Sequence, residues 1–228
     1  MKAIAIIPAR GGSKRIPKKN IKSFLGKPII SYPIEAALKS KLFNEIMVST
    51  DDEEISEISK MLGASVPFLR STKNSDDFAT TVDVLLEVIE EYKKRGKVSD
   101  YVCCIYPTVP FISPEKLNHS FKFLIEKKAE SLIPIVRYSY PIQRALRIEN
   151  DSLQYIYPEN GSKRSQDLEL TYHDAGQFYW IKTDVLVNQS SIVTDDSIAY
   201  EISELEVQDI DSETDWKIAE MKYQILNK

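Results

Sequence analysis

The stretch Ala3-Ile4-Ala5-Ile6-Ile7, running into Pro8-Ala9-Arg10-Gly11-Gly12-Ser13-Lys14-Arg15-Ile16-Pro17-Lys18-Lys19-Asn20, decides the fold class. An unbroken apolar run of strand length, without polar alternation, reads as a strand buried on both faces. Directly after it, six basic residues and no acid lie from Arg10 to Lys22, and two of the chain's seven glycines stand side by side. Gly11 and Gly12 let the backbone turn tightly and present N–H groups to an anion. The carboxyl end of a first strand in an open α/β sheet is where a ligand crevice is expected. The loop has neither the Gly-x-x-x-x-Gly-Lys-Ser/Thr nor the Gly-x-Gly-x-x-Gly spacing. Its chemistry points to a triphosphate held by arginine, lysine and backbone amides.

Outward from this loop, short apolar runs alternate with helical patterns, the signature of a largely parallel α/β sheet. Helices are expected over 30–39, with Pro33 tolerable in the first turn, and after the 45–49 strand, where Ile55, Ile58 and Leu62 share a face. A short strand is expected around Val66, and a helix over 80–94 has Val82, Leu85, Leu86 and Ile89 on its inner stripe. Strands over 101–106 and 131–137 flank a helix over 114–127. Beyond Arg137 the rhythm breaks. A hairpin turns at Asn150-Asp151, and a polar stretch follows, so residues 138–172 read as an extended arm for ligand contacts and dimerisation. Strands over 177–182, 198–202 and 207–210 and a helix over 213–226 complete one domain spanning 1–228.

With 43% apolar and 28% charged residues, the composition excludes disorder and a disulfide scaffold. A net charge of −4 gives no general attraction to nucleic acid or anionic membrane, so an anionic ligand depends on the local basic loop. A nucleic-acid-binding module lacks its basic face and aromatic platforms here. Cys103 and Cys104 are neighbours in a strand and point to opposite faces, which suits reduced core thiols in the cytoplasm. No apolar run reaches the ~20 residues of a membrane span, and the short apolar stretch at the amino end does not suit a secretory signal.

Asp209 and Asp211, if on a strand, share a face, and two such carboxylates repel unless a cation sits between them. Mg²⁺ suits them, with water and phosphate oxygens completing its shell. No His/Cys cluster supports zinc, and no Ser/His/Asp set supports a hydrolase. Thr80 with Asp83, and Ser212 with Asp215, have capping-box spacing.

The segment from Ile7 to Asn20 resembles the N-terminal signature of the CMP-sialic acid synthetase family. The resemblance implies a nucleotide-diphospho-sugar-transferase-like, Rossmann-like fold, with CTP and Mg²⁺ used to activate an acidic nine-carbon sugar. It places Ala9, Arg10, Gly11, Gly12, Ser13, Lys14 and Asn20 around CTP, with Arg10, Lys14 and Lys19 neutralising the phosphates. Four further segments match in order. Pro67-Phe68-Leu69-Arg70 implies a nucleotide contact from Arg70. Asp77-Phe78-Ala79-Thr80-Thr81 implies base contacts from Ala79, Thr80 and Thr81, alongside the capping role of Thr80. Tyr106-Pro107-Thr108-Val109-Pro110 has tyrosine where the sialic acid enzymes have a sugar-facing glutamine, a departure that points away from sialic acid. The fourth, from Asp209 to Trp216, implies metal ligation by Asp209 and Asp211.

The stretches 139–145, 163–168 and 172–179 are more similar to the pseudaminic acid cytidylyltransferases. They imply sugar contacts from Tyr106, Gln143, Arg144, Arg164, His173 and Gln177, with a structural hydrogen-bonding role as the other reading of His173. Arg144 and Arg164 suit the sugar carboxylate, since a planar guanidinium binds carboxylate in a bidentate manner. The expected reaction is CMP transfer to pseudaminic acid by a cytoplasmic homodimer paired through the arm. Sialic or legionaminic acid as acceptor, and an inactive nucleotide-sensing scaffold, are the other readings.

Overall fold

The computed structural model describes residues 1–227. The opening run forms β1 (Ala3–Pro8), and its alternation sets the layering. Ala3, Ala5 and Ile7 enter one core, whereas Ile4 and Ile6 enter a second. A strand apolar at every position needs cover on both faces.

Two short strands, β2 (Ser23–Phe24) and β3 (Lys27–Pro28), form a hairpin leading into α1 (Ser31–Ser40). Then come β4 (Glu45–Ser49), α2 (Glu53–Met61), α3 (Thr81–Lys94), β5 (Tyr101–Ile105), α4 (Pro114–Lys127) and β6 (Ser131–Arg137). The arm carries the ribbon β7 (Leu146–Glu149) and β8 (Ser152–Tyr155), and the chain returns through β9 (Tyr172–Asp174) and β10 (Phe178–Lys182). It ends with α5 (Thr183–Gln189), β11 (Ser197–Glu201) and α6 (Glu213–Leu226).

Helices α1, α2 and α4 cover the first core through Ile34, Ile55, Leu117 and Leu124. Helices α3 and α5 cover the second through Leu85, Val88, Tyr92 and Leu186. Cys103 joins the first core and Cys104 the second, both free and buried, as neighbours on a strand must. Both capping boxes form: Thr80 and Asp83 open α3, and Ser212 and Asp215 open α6. Helix α6 packs Trp216 and Ala219 against Ile16, Phe24, Tyr32 and Phe111, clamping the basic loop to the end of the chain.

The sheet order is β11-β6-β10-β5-β1-β4, with β9 also on β6. Strand β1 runs parallel to β4 and β5, and β11 parallel to β6. Strands β1, β4, β5, β6 and β11 run one way, as expected of a mostly parallel sheet, and β9 and β10 are reversed within it, which makes the sheet mixed. The arm is the reason. The chain leaves the sheet at Arg137 and re-enters opposite it at Tyr172, and from there it can only run back along β6.

Other expectations change locally. Residues 207–210 form no strand; Ile210 is held by packing rather than by a ladder. The strand expected around Val66 reduces to one bridge between Met47 and Ser65. Helix α5, with only Val185 and Leu186 buried, is too short to show a period in sequence. Asn150 and Asp151 turn the arm hairpin at φ 48° and 61°, a positive pair that suits the right-handed strand twist. No helix among the described residues is long and apolar enough to cross a membrane.

Candidate active site

Because β1, β4 and β5 point the same way, their carboxyl ends and following loops share one edge of the sheet. Two adjoining cavities open there. One, of about 440 Å³, is lined by Arg10, Ser13, Lys14, Arg15, Lys19 and Asn20, with Asp77 and Tyr106 to Thr108 opposite. The other, of about 430 Å³, has Tyr106 and Thr108 again, with His173, Gly176, Asp209 and Lys222. Tyr106 and Thr108 are therefore a shared wall. A larger cavity of about 710 Å³ lies at the opposite end of the sheet, beside Lys2, Glu45 and Ser99, out of reach of the basic loop.

The basic loop is shaped by the strand beside it. Ala9 donates its N–H to the carbonyl of Ser49 and Gly11 donates to Asp51 Oδ1, each at 2.9 Å. A Cβ on Gly11 would stand 2.7 Å from Asp52 Oδ2, so only glycine fits there. A Cβ on Gly12 would meet nothing within 4 Å, so packing does not require that glycine. Asn20 is buried and donates Nδ2–H to the carbonyl of Arg10 at 2.9 Å, bracing the loop from beneath.

The cations of this loop already hold anions from the chain itself. Asp77 accepts from Arg10 at 2.8 Å and from Lys14 at 2.5 Å. Those hydrogen bonds, first from Lys14 and then from Arg10, hold its carboxyl below the usual range. Asp211 accepts from Arg15 at 2.7 Å and lies 3.6 Å from Lys19, whose ammonium also donates to the carbonyl of Ile210 at 2.7 Å. Asp209 makes no side-chain hydrogen bond or ion pair among the described residues and lines the second cavity. The two acids therefore flank a buried Ile210 on an irregular segment, not a strand, and face different surroundings.

Arg70, expected beside the nucleotide, is 7% exposed and spends its guanidinium on the hydroxyl and carbonyl of Ser49. It lines neither cavity in this chain. Burial pulls its pKa down, opposed by the charges of Asp51 and Glu87. Ala79 donates its N–H to Asp76 Oδ1 at 2.8 Å, and the Thr80 hydroxyl is taken by its capping box. Thr81 Oγ1 lies 3.1 Å from the hydroxyl of Tyr106, fixing the shared wall to the start of α3. Tyr106 in turn packs edge-on to Tyr179, and burial raises its pKa.

The second cavity owes its floor to a bulge. Leu132 pairs with Trp180 and Val136 with His173, so four residues' advance on β6 spans seven on the returning strand. The excess is Ala175 to Gln177, with Gly176 at φ +60°, and bulges characteristically re-aim side chains beside functional sites. His173 Nδ1 lies 2.8 Å from the carbonyl of Asp174, and its ring packs on Tyr138. Gln177 is buried and lines neither cavity, donating to the carbonyl of Glu206 while its Oε1 has no partner among the described residues. The arm residues stay apart: Gln143 donates to the carbonyl of Glu169, Arg144 to Ser165, and Arg164 pairs with Asp167. None of those three lines either cavity.

Sequence reasoning missed Asp77, Arg15, Thr108 and Lys222 as site residues. One signal was available: six cations without a local acid must find counter-charges elsewhere, and Asp51-Asp52 and Asp76-Asp77 are acid pairs near the basic loop. Asp77→Asn should lower the Kd for CTP about two- to tenfold, because it removes an exposed internal anion competing for Arg10 and Lys14. Calorimetric titration at low and high salt checks this; weaker binding would show that Asp77 orients the cations instead.

The chain matches the cytidylyltransferase family over residues 4–203 and belongs to it. It is 40% identical to a pseudaminic acid cytidylyltransferase of Campylobacter jejuni over 99% of this chain and 97% of that protein. It is 30% identical to a CMP-N,N'-diacetyllegionaminic acid synthase of Legionella pneumophila, over 96% and 95% respectively. Its fold matches a solved CMP:2-keto-3-deoxy-manno-octonic acid synthetase complexed with CTP, with a TM-score of 0.73 over 100% of this chain and 99% of that one. At 18% identity this last likeness speaks for the fold alone.

Proposed function

We propose that this chain transfers CMP from CTP to the anomeric hydroxyl of pseudaminic acid, releasing pyrophosphate. The observation that carries the reading is the shared wall: Tyr106 and Thr108 border both a cavity rich in cations and a second cavity beside it. Two substrates seated in these cavities would meet at that wall. Relatives acting on pseudaminic and legionaminic acids support the acceptor class. Tyr106, whose hydroxyl is engaged by Thr81, stands where the sialic acid enzymes have a glutamine, a departure that points away from sialic acid.

In this reading Arg10 and Lys14 exchange Asp77 for the phosphates, and Lys19 adds charge from the other side. Catalysis rests on positioning and charge neutralisation. Asp209 and Asp211 are hard oxygen donors on either side of Ile210 that face different surroundings here, and they would hold Mg²⁺ together only once Arg15 releases Asp211. When bound there, Mg²⁺ supplies neutralising charge and a lower pKa for the attacking hydroxyl. Asp209 has no competing cation, whereas Asp211 must be released by Arg15.

We further propose a cytoplasmic homodimer that pairs through the arm, where Tyr140 is 86%, Ile148 77% and Leu153 66% exposed. Free, buried cysteines suit a reducing compartment. The test combines CTP, ATP, GTP or UTP with Mg²⁺ and a panel of nonulosonic acids, following pyrophosphate release. CTP with pseudaminic acid should lead, and light scattering should give twice the chain mass. Equal turnover with all four nucleotides would remove the cytidylyl assignment, and a monomer would remove the arm pairing.

A further inference from the structure

The second cavity contains one lysine or arginine among its lining residues, Lys222 from α6. Its ammonium donates to the carbonyl of Val207 at 2.7 Å and to that of Glu204 at 3.0 Å. Those two bonds use two of its three N–H groups, and no carboxylate lies within ion-pairing distance of it among the described residues. Of the cavity's carboxylates, Asp174 accepts from Tyr179 and from Gly176 N–H, each at 2.7 Å, whereas Glu204 and Asp209 hold no cation among the described residues. Burial lowers the Lys222 pKa, only partly offset by the charge of Glu204 nearby, which forms no ion pair with it. The arm arginines, engaged with Ser165 and Asp167, do not compete for a ligand in this cavity.

We infer that Lys222 is the residue that takes the carboxylate of the acidic sugar, and that it makes the site selective for sugar acids over neutral sugars. The two carbonyls aim the ammonium, and the third N–H is the group a carboxylate completes. The inference rests on the CMP-transfer reading above and adds a specificity residue to it. A lysine that only pinned α6 to the 204–207 loop would give the same two carbonyl bonds, so the test must separate these roles.

The test uses the full chain with CTP and Mg²⁺, pseudaminic acid as substrate, and its C1 carboxamide as a competitive inhibitor. Lys222→Gln retains an N–H donor for the loop but no charge. It should raise the KM for the acid about ten- to a hundredfold, with the KM for CTP unchanged. Its preference for acid over carboxamide should collapse, and Lys222→Arg should restore that preference. Equal weakening toward acid and carboxamide would mean a structural role and overturn the inference. So would an unaltered preference. If Lys222→Gln fails to fold, Lys222→Met, which keeps the stem without the charge, takes its place: a collapsed preference for acid over carboxamide supports the inference and an unaltered one overturns it. Absence of pyrophosphate release by the wild-type chain with every acid would overturn the CMP-transfer reading and this inference with it. Turnover with an unchanged Lys222→Gln preference would overturn the inference alone.

Discussion

Changing Asp209 to Asn is expected to lower kcat roughly 10²–10³-fold, the scale on which a single charge-stabilising group acts in a transition state. The unfolding midpoint should not move, because no hydrogen bond or ion pair among the described residues uses the Asp209 side chain. A bound metal's charge matters most when negative charge builds on the phosphates, so kcat should fall further than CTP binding. Asp211→Asn should lower kcat similarly but with a second effect, since Arg15 at 2.7 Å and Lys19 at 3.6 Å lose their internal anion. Those cations become freer for phosphate, so CTP affinity should hold or rise while turnover falls. Pyrophosphate release measured across a Mg²⁺ series separates the two effects. Near wild-type kcat in both variants at saturating Mg²⁺ would make these acids ordinary surface residues.

Arg70→Leu is expected to cost about 3 kcal/mol of stability, or roughly 6–12 °C in Tm for a chain of this size. The residue is buried, and its guanidinium holds the end of β4 through both the hydroxyl and the carbonyl of Ser49. Removing it also strips Asp51 and Glu87 of a neighbouring cation. Arg70→Lys should fall between, since an ammonium keeps the charge but not the fork that reaches both Ser49 groups. Activity should decline as a consequence, because Asp51 and Ser49 hold Gly11 and Ala9 of the basic loop. Thermal unfolding and CTP titration together decide the matter. Lost CTP affinity at unchanged Tm would return Arg70 to the nucleotide contacts implied by family resemblance.

What was legible in the residues alone is what depends on near neighbours. The unbroken apolar run from Ala3 to Ile7 determined a sheet covered on both faces, and the adjacency of Cys103 and Cys104 in a strand placed them in different cores. The spacings Thr80–Asp83 and Ser212–Asp215 determined where α3 and α6 begin. Asn150-Asp151 determined the arm's turn. Glycine, cation and strand order determined that a cation-rich loop bordering a cavity follows β1. Tertiary structure alone decided that β10 runs antiparallel, because its direction follows from where the arm re-enters the sheet. It likewise decided that Arg70 is buried and that Asp77 meets Arg10 and Lys14 more than sixty residues away. The bulge at Gly176 and the place of Lys222 in the second cavity belong to the same class. Caps, turns and strand faces are set by forces within a few residues, which leave a period or a spacing in the chain. Ion pairs and cavity walls are set by where distant segments come to rest, and the chain carries no period for that.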